Sequence, residues 1–211
     1  MKILLTLSIL ALLLTSCSTA YYAAMDKLGY EKRHILVDRV KNAKESQIDA
    51  KEQFASALDE FIAVTNYQGG ELEKVYRRID SSYKKSVDRA NDVKGRNDAV
   101  ERTGKALFKE WNREIKQFTD PELAAASRQQ YVAAEERYEE LLVAMRSAEA
   151  KLDPVLKTFN DQTLFLKHNL NAKAINALES QVTQVKIDVN RLIRDMERSI
   201  AEADRFISQM R

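Results

Sequence analysis

LEKVYRRIDSSYKKSVDRANDVKGRNDAVERTGKALFKEW, residues 72–111, sets one row of side chains alternately four and three places apart without a break. The row is Leu72, Tyr76, Ile79, Tyr83, Ser86, Ala90, Val93, Asn97, Val100, Gly104, Leu107 and Trp111. A mean spacing of 3.5 residues is the signature of helices that wind around one another with a left-handed supercoil. The two ends of the row are bulky and its middle is small or polar. Off the row, Glu73/Arg77, Asp80/Lys84, Asp92/Arg96 and Glu101/Lys105 place acid four residues before base. Each such pair adds about 0.2–0.5 kcal/mol and marks a solvated helix face.

The same spacing extends both ways. A first helix, about 31–66, carries Leu36, Val40, Ala43, Gln47, Ala50, Phe54, Ala57, Phe61 and Val64. Gly69-Gly70 breaks the chain before the second helix, about 71–118, because paired glycines lose most backbone entropy in a helix. Thr119-Asp120-Pro121-Glu122 restarts it with an acidic cap and proline at the first helical position. The third helix runs on through Tyr131, Ala134, Tyr138, Leu141, Met145, Ala148, Leu152, Val155, Phe159, Gln162 and Leu166. Asp153-Pro154 could begin a new helix, but the spacing passes Pro154 in phase, which predicts a kink. A fourth helix carries Leu178, Val182, Val185, Val189, Leu192, Met196, Ser199, Ala203 and Phe206. At 1.5 Å per residue the middle two helices are roughly 70 Å long and the outer two about 55 Å. Short turns make neighbours antiparallel. The expected fold is all-α, an elongated antiparallel coiled-coil-like bundle of four long helices.

Composition agrees and narrows the chemistry. Five glycines and two prolines in 211 residues, with 31% charged residues, describe long helices. Balanced charge (34 Lys+Arg, 32 Asp+Glu) excludes the basic excess of a general nucleic-acid binder. One cysteine leaves no internal disulfide and no thiolate metal cluster. No HExxH, CxxC, calcium-loop, phosphate-loop or Gly-x-Ser-x-Gly pattern occurs. His34 and His168 are expected to pack or cap. Glu135, Glu136, Glu139 and Glu140 could hold a divalent cation, but four acids within one and a half turns are usually solvated surface. Gln47, Asn97 and Ser199 sit in the seams. They either line a site between helices or, as buried polar positions do in coiled coils, fix register. No catalytic residue, cofactor, metal or small-molecule substrate is expected, and the chain is not expected to be an enzyme. Residues 26–44 hold six bases and three acids, and residues 121–153 seven acids and four bases. The first stretch could touch an anionic leaflet at about 1 kcal/mol per cation, or be an ordinary solvated face.

The N-terminus supplies a location. Lys2 precedes an apolar run from Ile3 to Leu14. As a helix this spans roughly 18 Å against a hydrocarbon core of about 30 Å. Its length is that of a signal-peptide core. Leu14-Thr15-Ser16-Cys17 resembles a bacterial lipobox, in which the cysteine is lipidated and becomes the first residue. The alternative is an ordinary secretory signal beside an incidental cysteine, and the sole Cys standing where the motif needs it favours the lipobox. The organisation expected is a signal peptide over 1–16, a lipidated N-terminus and short tether over 17–30, and a helical bundle over 31–211. Lipid attachment falls on Cys17. Tyr21-Tyr22 could sit at headgroup level or in the bundle's first turn. Ser18, rather than Asp, favours the outer membrane under the sorting rule of enteric bacteria.

Several segments resemble a family of bacterial envelope proteins, domain-of-unknown-function family 2959. They are Tyr21-Tyr22-Ala23-Ala24-Met25, Lys32 to Val40, Ala50-Lys51-Glu52-Gln53-Phe54, Ala106 to Trp111, Leu164 to Ala172 and Met196 to Asp204. The resemblance implies a helical, signal-bearing envelope protein and brings no catalytic residues with it. The expected function is a lipid-anchored scaffold or interaction protein facing the periplasm. Its partners are the membrane, through acylated Cys17, and an envelope protein or a second copy. The alternatives are a membrane-shaping helical dimer and a periplasmic holdase chaperone.

Overall fold

The computed structural model describes residues 31–65, 72–169 and 172–210. Cys17, Tyr21-Tyr22, the signal and tether segments and Gly69-Gly70 lie outside the described residues. Six helices are found: α1 Lys32–Thr65, α2 Leu72–Ile115, α3 Pro121–Glu149, α4 Leu152–His168, α5 Ala172–Glu179 and α6 Val182–Gln209. Among the described residues there is no strand. None of these helices is long and apolar enough to cross a membrane.

The expected third and fourth helices are each interrupted, which turns four helices into six segments. Proline explains the first interruption. Pro154 has no N–H to give the Ala150 carbonyl, and its ring would crowd that oxygen. The chain tightens there instead: the Lys151 N–H donates to the Ala148 oxygen at 3.2 Å, a bond three residues back. Helix α4 then restarts with Pro154 in its first turn, where a missing N–H costs nothing. Ala150 (φ −60°, ψ −17°) and Lys151 (φ −94°, ψ −10°) both stay right-handed helical. The apolar row crosses in phase, with Ala148, Leu152 and Val155 all buried. At the second interruption the Gln181 N–H donates to the Leu178 oxygen at 2.9 Å, again three residues back. Asp120 caps α3 as its sequence signal requires: Oδ1 accepts from the Glu122 N–H at 2.8 Å and the Leu123 N–H at 3.2 Å.

The bundle closes on itself. Helix α1 packs on α2 and α6, and both α3 and α4 pack on α2 and α6, so four antiparallel columns enclose a shared interior. Ion pairs fix the register. Asp49–Arg89 (3.0 Å) ties α1 to α2, while Lys44–Asp204 (2.7 Å) and Lys51–Glu197 (3.5 Å) tie α1 to α6. All four acid-before-base pairs of α2 form, at 2.5–3.3 Å.

The α1 row is buried along its whole length from Leu36 to Val64. In α2 the row holds from Ser86 to Leu107 but shifts towards both ends. Val75, Ser82 and Phe108 are buried, and Tyr76, Tyr83 and Trp111 lie at the margin. A helix of 3.6 residues per turn drifts against a 3.5 repeat, so over 44 residues the buried face moves around it. Tyrosine and tryptophan tolerate the rim because their polar ends reach water.

Gly104 shows how closely α2 and α3 approach. A Cβ there would fall within the ring of Tyr138, which is buried and whose hydroxyl donates to the Glu101 carbonyl at 3.0 Å. Gly95, on the same helix, is exposed with open space around it. Gly95→Ala is therefore expected to stabilise the bundle by up to about 1 kcal/mol, the helix-propensity gain. Gly104→Ala is expected to destabilise it by about 1–3 kcal/mol of overpacking. Denaturant midpoints of the two variants check the pair, and equal gains would mean that Tyr138 does not fill the Gly104 position.

Candidate functional site: a buried polar layer and an end groove

The core is two cores. One is built from Ala50 to Val64 of α1, Val75 to Val93 of α2, Ala148 to Leu166, and Ile175 to Met196. The other is built from Leu36 to Ala43, Val100 to Ile115, Tyr131 to Met145, and Ala203 to Met210. The gap between them contains Gln47, Asn97 and Ser199, three of the polar positions of the seams. The structure brings them to one region. Lys44–Asp204 and Lys51–Glu197 bracket Gln47 and Ser199, setting them level across the α1–α6 seam. Asn97 lies within about one turn of that level, on the α2–α3 side.

Each of the three is at most 1% exposed. Asn97 reaches out of the core: its Nδ2 donates to Glu149 at 2.9 Å and faces the Met145 oxygen at 3.5 Å. Neither amide atom of Gln47 nor the Ser199 hydroxyl has a hydrogen-bond partner among the described residues. Around them the packing is alanine: Ala43, Ala50, Ala90, Ala148 and Ala203 are at most 1% exposed. Their side chains are small, so the layer is a waist in apolar side-chain volume.

Ion pairs ring the waist. Arg146 holds Asp98 (2.8 Å), Glu149 (2.7 Å) and Glu101, joining α2 to α3. Lys94 holds Asp153 at 2.6 Å, joining α2 to α4. Buried Asp195 of α6 pairs with Lys151 at the α3–α4 interruption and with Arg198 at 3.2 Å. Hydrogen bonds from Lys105 and then Arg146 pull the Glu101 carboxyl down to about 2. Burial, and then the repulsion of Arg198, Arg191 and Arg194, lowers the Lys151 ammonium. The waist therefore offers unpartnered polar groups of Gln47 and Ser199 inside a ring of paired charges.

The other candidate residues are scattered. His34 is exposed on α1, where a packed position was expected, because it faces away from the Leu36 row. His168 is the exposed last residue of α4. Glu136, Glu139 and Glu140 are exposed, while Glu135 accepts from the Tyr131 hydroxyl. Burial, and then Glu135, raise that tyrosine to about 12. Among the described residues no cluster of three or more His, Cys, Asp or Glu has metal-binding geometry.

One feature was not expected. At the end where α1 begins and α6 stops, a groove of about 410 Å³ opens between three helices. Arg33, Glu110, Trp111 and Met210 line it. Lys32 pairs with Glu110 at 2.7 Å, and the Arg33 Nε donates to the Met210 oxygen at 2.9 Å. Its walls lie far apart in sequence, so no local pattern announces it. Beside it Phe108, Trp111, Tyr131 and Tyr138 form an aromatic cluster with centroids 5.1–6.4 Å apart.

Among known proteins, the family described as "Protein of unknown function (DUF2959)" matches residues 21–210. No curated protein and no solved structure matches the chain.

Two expectations test the waist. Gln47→Met removes a buried amide without a partner and keeps its volume, which should stabilise the bundle by about 1–3 kcal/mol. Asn97→Leu removes a donor to a carboxylate and should destabilise it by a similar amount. A lower denaturant midpoint for Gln47→Met would mean that the amide is satisfied. Separately, Glu101 ionises more readily folded than unfolded. Its contribution is thus present above the ordinary carboxylate range and lost as pH falls from about 4.5 toward 2. Arg146→Met should flatten the acid limb of a stability–pH curve, and an unchanged limb would exclude the pairing.

Proposed function

The chain belongs to the DUF2959 family, and on that premise we propose that it is a lipid-anchored, non-enzymatic scaffold at the periplasmic face of a bacterial envelope membrane. Cys17 carries the anchor, residues 18–30 are the tether, and the bundle presents a partner-binding surface. The outer membrane is the favoured site, on Ser18. Two or more acyl chains hold such a protein stably, at about 0.8 kcal/mol per buried CH₂.

The observation that carries this reading is where the chain enters the bundle. Lys32–Glu110 and Arg33 to Met210 pin the start of α1 beside the last residues of α6, at one end of the rod. A tether arriving there leaves the other end free, and α2, with 44 residues, extends roughly 66 Å from it. A rod held at one end is suited to presenting a surface at a set distance from its membrane. The membrane-shaping alternative needs a basic face on α1, and that stretch is engaged within the molecule. Lys32 pairs with Glu110, Arg33 binds the Met210 carbonyl, Lys41 pairs with Asp38 and Lys44 with Asp204. The holdase alternative needs the seams to open, whereas their rows are filled by one another.

In-cell crosslinking of the full chain, beside its Cys17→Ala variant, tests the proposal. The anchored protein should fractionate with membranes and capture a reproducible envelope protein, and the variant should lose both. Capture of only itself and lipid would sink the scaffold reading.

A further inference from the structure

We propose that the α2–α3 turn is a membrane-contact tip, with Phe118 and Leu123 seated in the headgroup layer of the bilayer that holds the chain. The inference deepens the anchored reading and rests on it. Glu110 is level with Lys32, the first residue of α1, through their ion pair. Helix α2 continues to Ile115, about 8 Å further. Helix α3 begins at Pro121, yet its first buried residue is Tyr131. Ile115 itself is buried, and beyond it residues 116–123 stand proud of the described start of α1 and of α6 at the end where the tether arrives. At its extremity Phe118 is 45% and Leu123 56% exposed.

This tip is stiff. Asp120 caps α3, Trp111 Nε1 donates to Ser127 Oγ at 3.0 Å, and Arg128 donates to Asn112 at 2.9 Å. Ordering is already done, so contact with lipid immobilises little. Thirteen residues, 18–30, separate Cys17 from Glu31, with an extended reach of at most about 45 Å. A surface tethered so closely to this end faces the tip first. Two half-exposed side chains bind a bilayer weakly, but a tether raises their effective concentration enough to keep them engaged. Arg113 and Lys116 are outnumbered by Glu114, Asp120 and Glu122, so no basic excess draws this end to anionic lipid. The contact is thus apolar and insensitive to salt, and the flanking carboxylates hold it at headgroup depth. The remaining exposed large apolar residues, Val132, Val143, Leu164, Phe165 and Ile187, lie along the helices rather than at this end.

The test uses the mature chain, residues 17–211, coupled through Cys17, its only thiol, to a maleimide lipid. The vesicles are phosphatidylethanolamine and phosphatidylglycerol. Chemical coupling makes the outcome independent of whether a cell acylates Cys17, which the Cys17→Ala fractionation reads separately. In a Trp111→Phe background, Phe118→Trp should show blue-shifted emission quenched by brominated acyl chains. Val143→Trp, towards the far end of α3, should emit as in water and escape quenching. Water-like emission at 118, or equal quenching at 118 and 143 from a rod lying flat, would overturn the proposal. Hydrogen exchange of the unsubstituted chain gives the same reading without any substitution. Exchange at residues 116–126 should slow on coupling to vesicles, and an unchanged rate would overturn the proposal.

Discussion

A polar layer set among buried alanines at the middle of its core organises this bundle. Four rows of apolar residues recurring every 3.5 positions must be removed from water, and antiparallel neighbours are the means. At the level of Gln47 and Ser199 those rows thin largely to alanine, so the columns have least apolar surface to bury there. The bulky residues are pushed into two separate cores on either side. Cohesion at the waist comes from its rim instead. Arg146, Lys94 and Lys151 each cross from one column to another there, to carboxylates that range from buried Asp195 to exposed Asp153. Multiple ties of this sort, rather than single surface pairs, are the arrangement in which ion pairs contribute measurably.

The rings of ties also explain why an interrupted column can still act as one. Helix α3 gives way to α4 at Ala150–Lys151, a natural hinge, since one backbone bond is missing at Pro154. Lys151 itself is locked to Asp195, and Asp153 just beyond is held by Lys94. A bend at the interruption would break contacts to both α2 and α6. The proline thus lets the column follow its neighbours without loosening it.

Much of this was legible in the sequence, for a physical reason. Long helices without tertiary surprises write their buried face directly into residue spacing, and the α1 row from Leu36 to Val64 is buried at every position expected. The α3 start was legible because Asp120-Pro121 satisfies a local need, the orphan N–H groups of the first turn. What failed was whatever depends on accumulated geometry. Tyr76 and Tyr83 slid to the margin as the helix drifted against the repeat. The interruptions at residues 150–151 and 180–181 leave the spacing in phase, so spacing could not reveal them. The gathering of Gln47, Asn97 and Ser199 needed the register between helices. So did the groove and the protruding tip. Pairing order is a property of the assembled columns.

Register is also where the waist has its strongest rationale. A heptad row permits neighbouring helices to slip by seven residues and remain apolar against apolar, which leaves simple seams poorly specified. Here a one-heptad slip of α1 along α6 would bring Gln47 level with Leu192 or Phe206, both fully buried now. The alanines of one column would then face large side chains of the next, in a space set by close approach. Overpacking of that kind costs about 1–3 kcal/mol per site, and the waist has several. An unpartnered amide at Gln47 weakens the native state, yet in the slipped state it would be buried among large apolar groups as well. The polar layer and the alanines around it thus act together: the first marks the level at which the columns must meet, and the second makes every other level too tight.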